Sequence, residues 1–279
     1  MKTLLKKIPE RTKVIAAIIV GMSLFLGIVF YCKDTNGFPL LHRDLNNIMK
    51  KGRLLVITEK SSLGFELKDG KASGFQYDLA KAFADSMGLE LEIIPENDFS
   101  TSTMKLLENK CDVLAINIPH TTEMKNQVAL TIPVFNTHQV LVQRIEPDSM
   151  NIPPIRNHHQ LTVDSICIPK DSPFKMRLEN LSDEIADTIH IVEMEDKSTE
   201  DLVKMVADGK LRFTICDALQ AKSLKRKFPN IDITLPIGFN QQYCWAVHPE
   251  SKELLLKLNE FLHYFLNSSD FWEIYRRYY

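Results

Sequence analysis

No two of the five cysteines (Cys32, Cys111, Cys167, Cys216 and Cys244) stand in a Cys-x-x-Cys pair. The chain therefore offers neither a zinc knuckle nor a thioredoxin-type motif, and neither a metal site nor a cofactor is expected. Positive charge is not in excess: 34 Lys and Arg against 36 Asp and Glu leave a formal net charge of −2. Without a basic surplus there is no electrostatic case for nucleic acid. Gly-x-Ser-x-Gly, His-Glu-x-x-His and phosphate-loop patterns are missing, which removes the corresponding hydrolase, zinc-protease and nucleotide readings. There is no Gly- or Ser-rich linker and no internal repeat. What is present is 44% hydrophobic and 25% charged, the balance of a folded globular chain with ample core.

One long uncharged run does occur, VIAAIIVGMSLFLGIVFY at residues 14–31. As a helix it would be roughly 27 Å long, enough to cross a bilayer core. Lys2, Lys6, Lys7, Arg11 and Lys13 precede it, so residues 1–13 are expected to stay cytoplasmic and the remainder to be exported. The small residues of a signal-peptidase site are absent before Cys32, which favours an uncleaved signal anchor. The alternative is a lipoprotein attached through Cys32, although Tyr31 is bulky for that role.

Past a juxtamembrane segment at 32–50, the pattern alternates strand and helix. Residues 44–52 read as a short helix stopped by Gly52, and 53–58 as a buried strand. Residues 74–94 give an amphipathic helix ended by Gly88 and then a strand in which Leu89, Leu91 and Ile93 alternate. A helix at 100–108 leads into CDVLAINIPHTTEMKNQVALTIPVFNTHQVLVQR, residues 111–144, which reads as strand, turn with a short helix, and strand. Strands and helices alternate again over 165–228, followed by a strand at 244–248 and two C-terminal helices. Repeated β-α-β units argue for parallel sheet, with any ligand at the carboxyl ends of the strands. Free Cys in such apolar strands usually behaves as a small buried hydrophobe. An exported chain could still pair Cys167 with Cys216 if their strands are adjacent.

Two blocks carry a resemblance. GKASGFQYDLAKAFADSMGLELEII and CDVLAINIPHTTEMKNQVALTIPV resemble ordered motifs of the family 3 solute-binding proteins, the periplasmic receptors of amino-acid importers. The second half, through DLVKMVADGKLRFTICD and CWAVHPESKELLLKLNEFL, is similar to the non-catalytic N-terminal domain of the membrane-bound lytic transglycosylase F family. The resemblance implies an α/β, two-lobed type II periplasmic-binding-protein fold, preceded by one N-terminal transmembrane helix. Lobe 1 is expected at 51–144 and 236–279, and lobe 2 at 145–235. The folded part would lie in the bacterial periplasm on an inner-membrane anchor.

The amino-acid receptors hold a ligand carboxylate with a Thr and an Arg in the central turn, and its ammonium with a late Asp. By this resemblance Thr121 matches a motif Thr and Asp217 the late Asp, which equally well caps the helix beginning at Ala218. Met124 stands where the Arg belongs. A thioether has no donor, so the carboxylate clamp is expected to be missing and free α-amino acids to bind weakly. Phe65 matches the place of a ligand-facing aromatic or is a core residue. Asn117 ends a strand facing the cleft or holds the turn, and Ser172 opens a helix whose N-terminus would suit an anion.

The transglycosylases cleave murein with a Glu in a lysozyme-like domain that follows their solute-binding half, and this chain reaches only Tyr279. A non-enzyme is expected, with no catalytic residues. Two functions stay open. One is a membrane-anchored protein that binds or senses a small solute, an amino-acid derivative or a cell-wall peptide, with a transporter as partner. The other is a non-catalytic regulatory module of the cell-wall transglycosylase machinery, with a degenerate ligand site.

Overall fold

The computed structural model describes residues 43–145 and 153–279. The expected anchor at 14–31, its basic flank and Cys32 lie outside the described residues. Among the described residues no helix is long and apolar enough to cross a membrane.

The first lobe opens with α1 (Leu45–Lys51). Asp44 caps it through its side chain, and Gly52, at φ +69°, supplies the left-handed residue that ends it. Then come β1 (Arg53–Thr58), the hairpin β2 (Glu66–Lys68) and β3 (Lys71–Ser73), α2 (Phe75–Ser86), β4 (Glu90–Pro95), α3 (Phe99–Leu107), β5 (Val113–Pro119) and α4 (Thr122–Gln127). β1 runs parallel to both β4 and β5, as the alternation of strand and helix requires. Short strands β6 (Ala129–Leu130) and β7 (Phe135–Thr137) complete this part.

The chain then enters the second lobe. β8 (Gln139–Arg144) is followed by a 3-10 turn at His158–Val163 and by β9 (Ile166–Pro169), α5 (Phe174–Ile185), β10 (Ile191–Met194) and α6 (Thr199–Ala207). β11 (Phe213–Asp217), α7 (Ala218–Lys227) and β12 (Ile231–Asp232) finish the lobe. Its sheet has the order β10-β9-β11-β8-β12. Finally β13 (Gln241–Val247) returns to the first sheet, antiparallel to β5 with Tyr243 opposite Pro119, and α8 (Lys252–Phe265) and α9 (Ser269–Tyr278) pack on that lobe.

The lobe boundary falls earlier than the sequence indicated. Lobe 1 was expected to run to residue 144, but β8 pairs with β11 across the second sheet, Gln139 opposite Asp217. The crossing is therefore at His138, between β7 and β8. The return is also later: the Ile237 amide still donates to Gln139 O at 2.8 Å, so the described part of the second lobe holds 139–145 and 153–237. The apolar run at 134–142 conceals the change, because β7 and β8 are buried in different cores and one hydrophobic pattern serves both.

Each of the two large sheets is covered on both faces. In lobe 1, Phe75, Leu79 and Phe83 of α2 meet Trp245, Leu258 and Leu262 on one side, while Ile57, Leu106, Leu114 and Ile118 gather on the other. In lobe 2, Ile166, Leu178 and Ile215 form one core and Val142, Val203 and Leu224 the second. Cys111, Cys167, Cys216 and Cys244 are all free and buried. β9 and β11 are adjacent, but Cys167 lies opposite Thr214, so Cys216 is two residues out of register for the Cys167 disulfide.

Candidate functional site

The carboxyl ends of β1, β5 and β11 meet the amino ends of α2, α6 and α7 at a cavity between the two lobes, with about 110 Å³ of free space. Asn117 near the end of β5, Asp217 at the end of β11 and Ser172 before α5 all line it, as do Glu59, Gln76, Gln139 and the rings of Phe99, Phe174, Tyr243 and Tyr279. No Lys, Arg or His is among the described residues lining it.

Asp217 is the helix cap that one reading expected, and it also reaches the other lobe. Its Oδ1 accepts from the Gln220 amide at 3.1 Å and caps α7. Its Oδ2 accepts from Asn117 Nδ2 of the other lobe at 2.9 Å. Behind Asn117, Gln76 Nε2 donates to Asn117 Oδ1 at 2.9 Å, and Trp245 Nε1 donates to Gln76 Oε1 at 2.8 Å. A buried indole thus fixes an amide that fixes the Asn, which leaves the Asn amide one orientation, donor toward Asp217.

Glu59 makes the second contact between lobes. Its Oε1 accepts from the Thr199 amide, the first residue of α6, at 3.0 Å, and its Oε2 accepts from Ser61 Oγ at 3.0 Å. The helix end favours this negative group. In return, Glu200 Oε2 accepts from the Ser62 amide at 2.7 Å. Burial pushes the Glu59 and Asp217 carboxyls above their ordinary values, against the hydrogen bonds that both accept and, at Asp217, against the nearby His138. At Glu200 burial acts against the charge, but Lys227 and Ser62 outweigh it and hold the carboxyl low.

Two buried polar atoms of residues around this cavity have no partner. Gln139 is only 3% exposed; its Nε2 donates to the Tyr243 hydroxyl at 3.3 Å while its Oε1 is unpaired. Ser172 Oγ is likewise buried and unpaired. α5 begins two residues later, with Pro173 at its N-cap and no side-chain cap.

Asn117, Ser172 and Asp217 come together here, whereas Phe65, Thr121 and Met124 are not among the lining residues. Phe65 packs on Tyr77, ring centroids 5.5 Å apart. Thr121 caps α4, its Oγ1 accepting from the Met124 amide at 3.2 Å. Met124 is buried with Leu106, Leu114 and Ile118 under α4. Sequence reasoning missed Glu59, Gln76 and Gln139. Glu59 immediately follows a buried strand, the same signal that singled out Asn117; Gln139 lies inside an apolar run and gave none.

The sequence aligns with curated proteins named membrane-bound lytic murein transglycosylase F. The one from Desulfosudis oleivorans is 25% identical over 265 residues, covering 95% of this chain and 56% of the relative. Another, from Ectopseudomonas mendocina, is 27% identical over 222 residues, covering 78% and 44%. The chain spans about half the length of the curated relatives it matches. Among solved structures, an ancestral arginine-binding protein bound to arginine superposes with a TM-score of 0.70 at 23% identity, covering 82% of this chain and 98% of that one. The arginine-bound form of truncated ArgBP from T. maritima gives 0.67 at 25% identity, covering 79% and 100%. Residues 54–279 match the family model of the bacterial extracellular solute-binding proteins, family 3, and the chain belongs to that family.

Proposed function

We propose that this chain acts by binding a small solute between its lobes, from an inner-membrane anchor with the folded part in the periplasm. The observation that carries the reading is the cavity itself: it lies where open α/β folds place ligands, and the polar side chains of Glu59, Asn117, Gln139 and Asp217 are among those that line it. The anchor rests on the run at 14–31 and its basic flank. A lipid on Cys32 is the alternative attachment.

A second reading has its own support. Asn117 bonds Asp217 directly across the cleft, and Glu59 bonds Thr199, so the lobes close on each other through their own side chains. A module that stays shut could instead serve as a regulatory partner of a cell-wall enzyme, a role made concrete by the transglycosylase relatives. Native mass spectrometry of the gently extracted full-length chain separates the two. The first reading expects one bound solute that dissociates on activation; a chain that never carries an adduct and is not stabilised by any small molecule favours the second.

A further inference from the structure

α9 packs on lobe 1, but its last turn is shared between the lobes. Phe271 sits in the lobe 1 core beside Phe75, ring centroids 6.2 Å apart. The Tyr278 hydroxyl donates to Asp78 Oδ2 at 2.8 Å and accepts from the Gly74 amide at 2.9 Å. A helix leaves its last carbonyls without partners of its own, and here partners come from lobe 2. Ser223 Oγ donates to Tyr278 O at 2.6 Å, and the Arg226 guanidinium donates to Tyr279 O. Leu219 packs against the same lobe 1 core. Leu219, Ser223 and Arg226 stand four and three residues apart on α7, so one face of that helix meets lobe 1 at the end of α9.

A helix C-terminus carries partial negative charge that a cation stabilises, and Arg226 supplies the cation from the other lobe. Tyr279, the residue so held, is also one of those lining the cavity. Its ring is fixed from lobe 1 by Phe75, Phe135 and Tyr275, at centroid distances of 5.3, 5.6 and 5.0 Å. Lobe 1 thus holds the ring and lobe 2 the backbone oxygen.

We propose that the last turn of α9 is a latch on the cleft: lobe 2 caps Tyr278 and Tyr279 only while the lobes are closed, and that cap keeps Tyr279 in the cavity wall. Opening withdraws α7 with its lobe, returns the two oxygens to water and frees the end of α9. The latch depends on movement of the lobes and not on what fills the cleft. It therefore goes beyond the solute-binding reading, which its failure would leave untouched.

Coupling of this kind is reciprocal: cutting the cap must loosen the cleft, and loosening the cleft must free the cap. Amide hydrogen exchange reports such openings, and mass spectrometry of the full-length chain in detergent reads both directions. Ser223→Ala combined with Arg226→Ala should speed exchange about tenfold in peptides covering Ser62 and Thr199, whose amides bond across the cleft. That is the scale of losing one hydrogen bond to a charged group. Arg226→Lys alone keeps a charged donor and should retain most of the protection. In the other direction, Glu59→Ala removes the acceptor that the Thr199 amide meets across the cleft. It should speed exchange at both Ser62 and the Tyr279 amide, which donates to Tyr275 O at 2.9 Å. Faster exchange at 275–279 with Ser62 and Thr199 unchanged in the cap variant would reduce these bonds to a local helix end and overturn the latch. A Glu59→Ala chain that exchanges faster at Ser62 but not at Tyr279 would overturn it too. If Glu59→Ala changes neither, or does not fold, the cap variant, altered on one face of α7, decides alone.

Discussion

Glu59 shows how one buried side chain can couple stability to protons. Its carboxylate is buried against the start of α6, with Ser61 and Thr199 as donors and with Glu200 and Asp217 as the neighbouring charges. Burial, the largest cause, raises its proton affinity above the ordinary value of 4.5, and the two neighbouring carboxylates add to it. A raised folded-state value means that the folded chain binds this proton more tightly than the unfolded chain. The contribution is therefore full below about pH 4.5 and is lost as pH rises through the folded value. Gln in place of Glu59 keeps one acceptor oxygen for Thr199 and removes the titration. Glu59→Gln should gain stability relative to the parent as pH rises from about 4 to about 7. Urea midpoints of both proteins across that range measure it, and a difference that is flat or falls with pH would refute the assignment. The sequence exposed Asn117 through its place near the end of a buried strand and Asp217 through the family resemblance; Glu59 also follows a buried strand but stands beside a Ser/Gly-rich loop, where its burial depends on a helix about 140 residues further on.

At the scale of elements, the loop that carries Glu59 is held by the start of α2. The Gln76 amide donates to Leu63 O at 2.9 Å and the Tyr77 amide to Gly64 O at 3.1 Å, while the Phe65 amide closes the loop onto Glu59 O at 2.9 Å. This packing needs Gly74. It sits at φ +142°, and a Cβ there would lie 2.1 Å from Gly64 O. Gly74→Ala is expected to cost more than the roughly 1–3 kcal/mol of a strained backbone residue, because the loop must also move and Glu59 with it. Gly70→Ala, at φ +75° with open space around the new methyl, should cost only about 1–2 kcal/mol. Urea unfolding of both variants tests the contrast; equal losses would mean that the loop is not anchored there. Helices such as α1 and α2 were legible from their glycines and apolar spacing, since those signals act within a single turn. The passage from β7 to β8 was not, because hydrophobic periodicity reports burial but not which of two cores a strand enters.

For the whole molecule, the motif blocks specify two lobes, yet their relation is decided by contacts between residues far apart in sequence. Asn117 donates to Asp217 at 2.9 Å, the Ser62 amide to Glu200 at 2.7 Å, and Ser223 Oγ on α7 to Tyr278 O at 2.6 Å at the end of α9. Lys227 holds Glu200 from its other side at 2.8 Å. Hydrogen bonds to charged groups each contribute about 1.5–3 kcal/mol, and every 1.4 kcal/mol shifts an equilibrium tenfold. Two such bonds between lobes are enough to keep the closed form dominant without a ligand, against an open form whose groups are hydrated. The chain is therefore expected to be closed when free. Asn117→Ala combined with Glu200→Ala removes two charged bonds between the lobes, leaving that of Glu59 with the Thr199 amide, and should shift the population toward the open form. X-ray scattering of the free proteins measures this as a larger radius of gyration for the double variant. An unchanged radius, or a parent already as extended as the variant, would show that these bonds do not hold the lobes together.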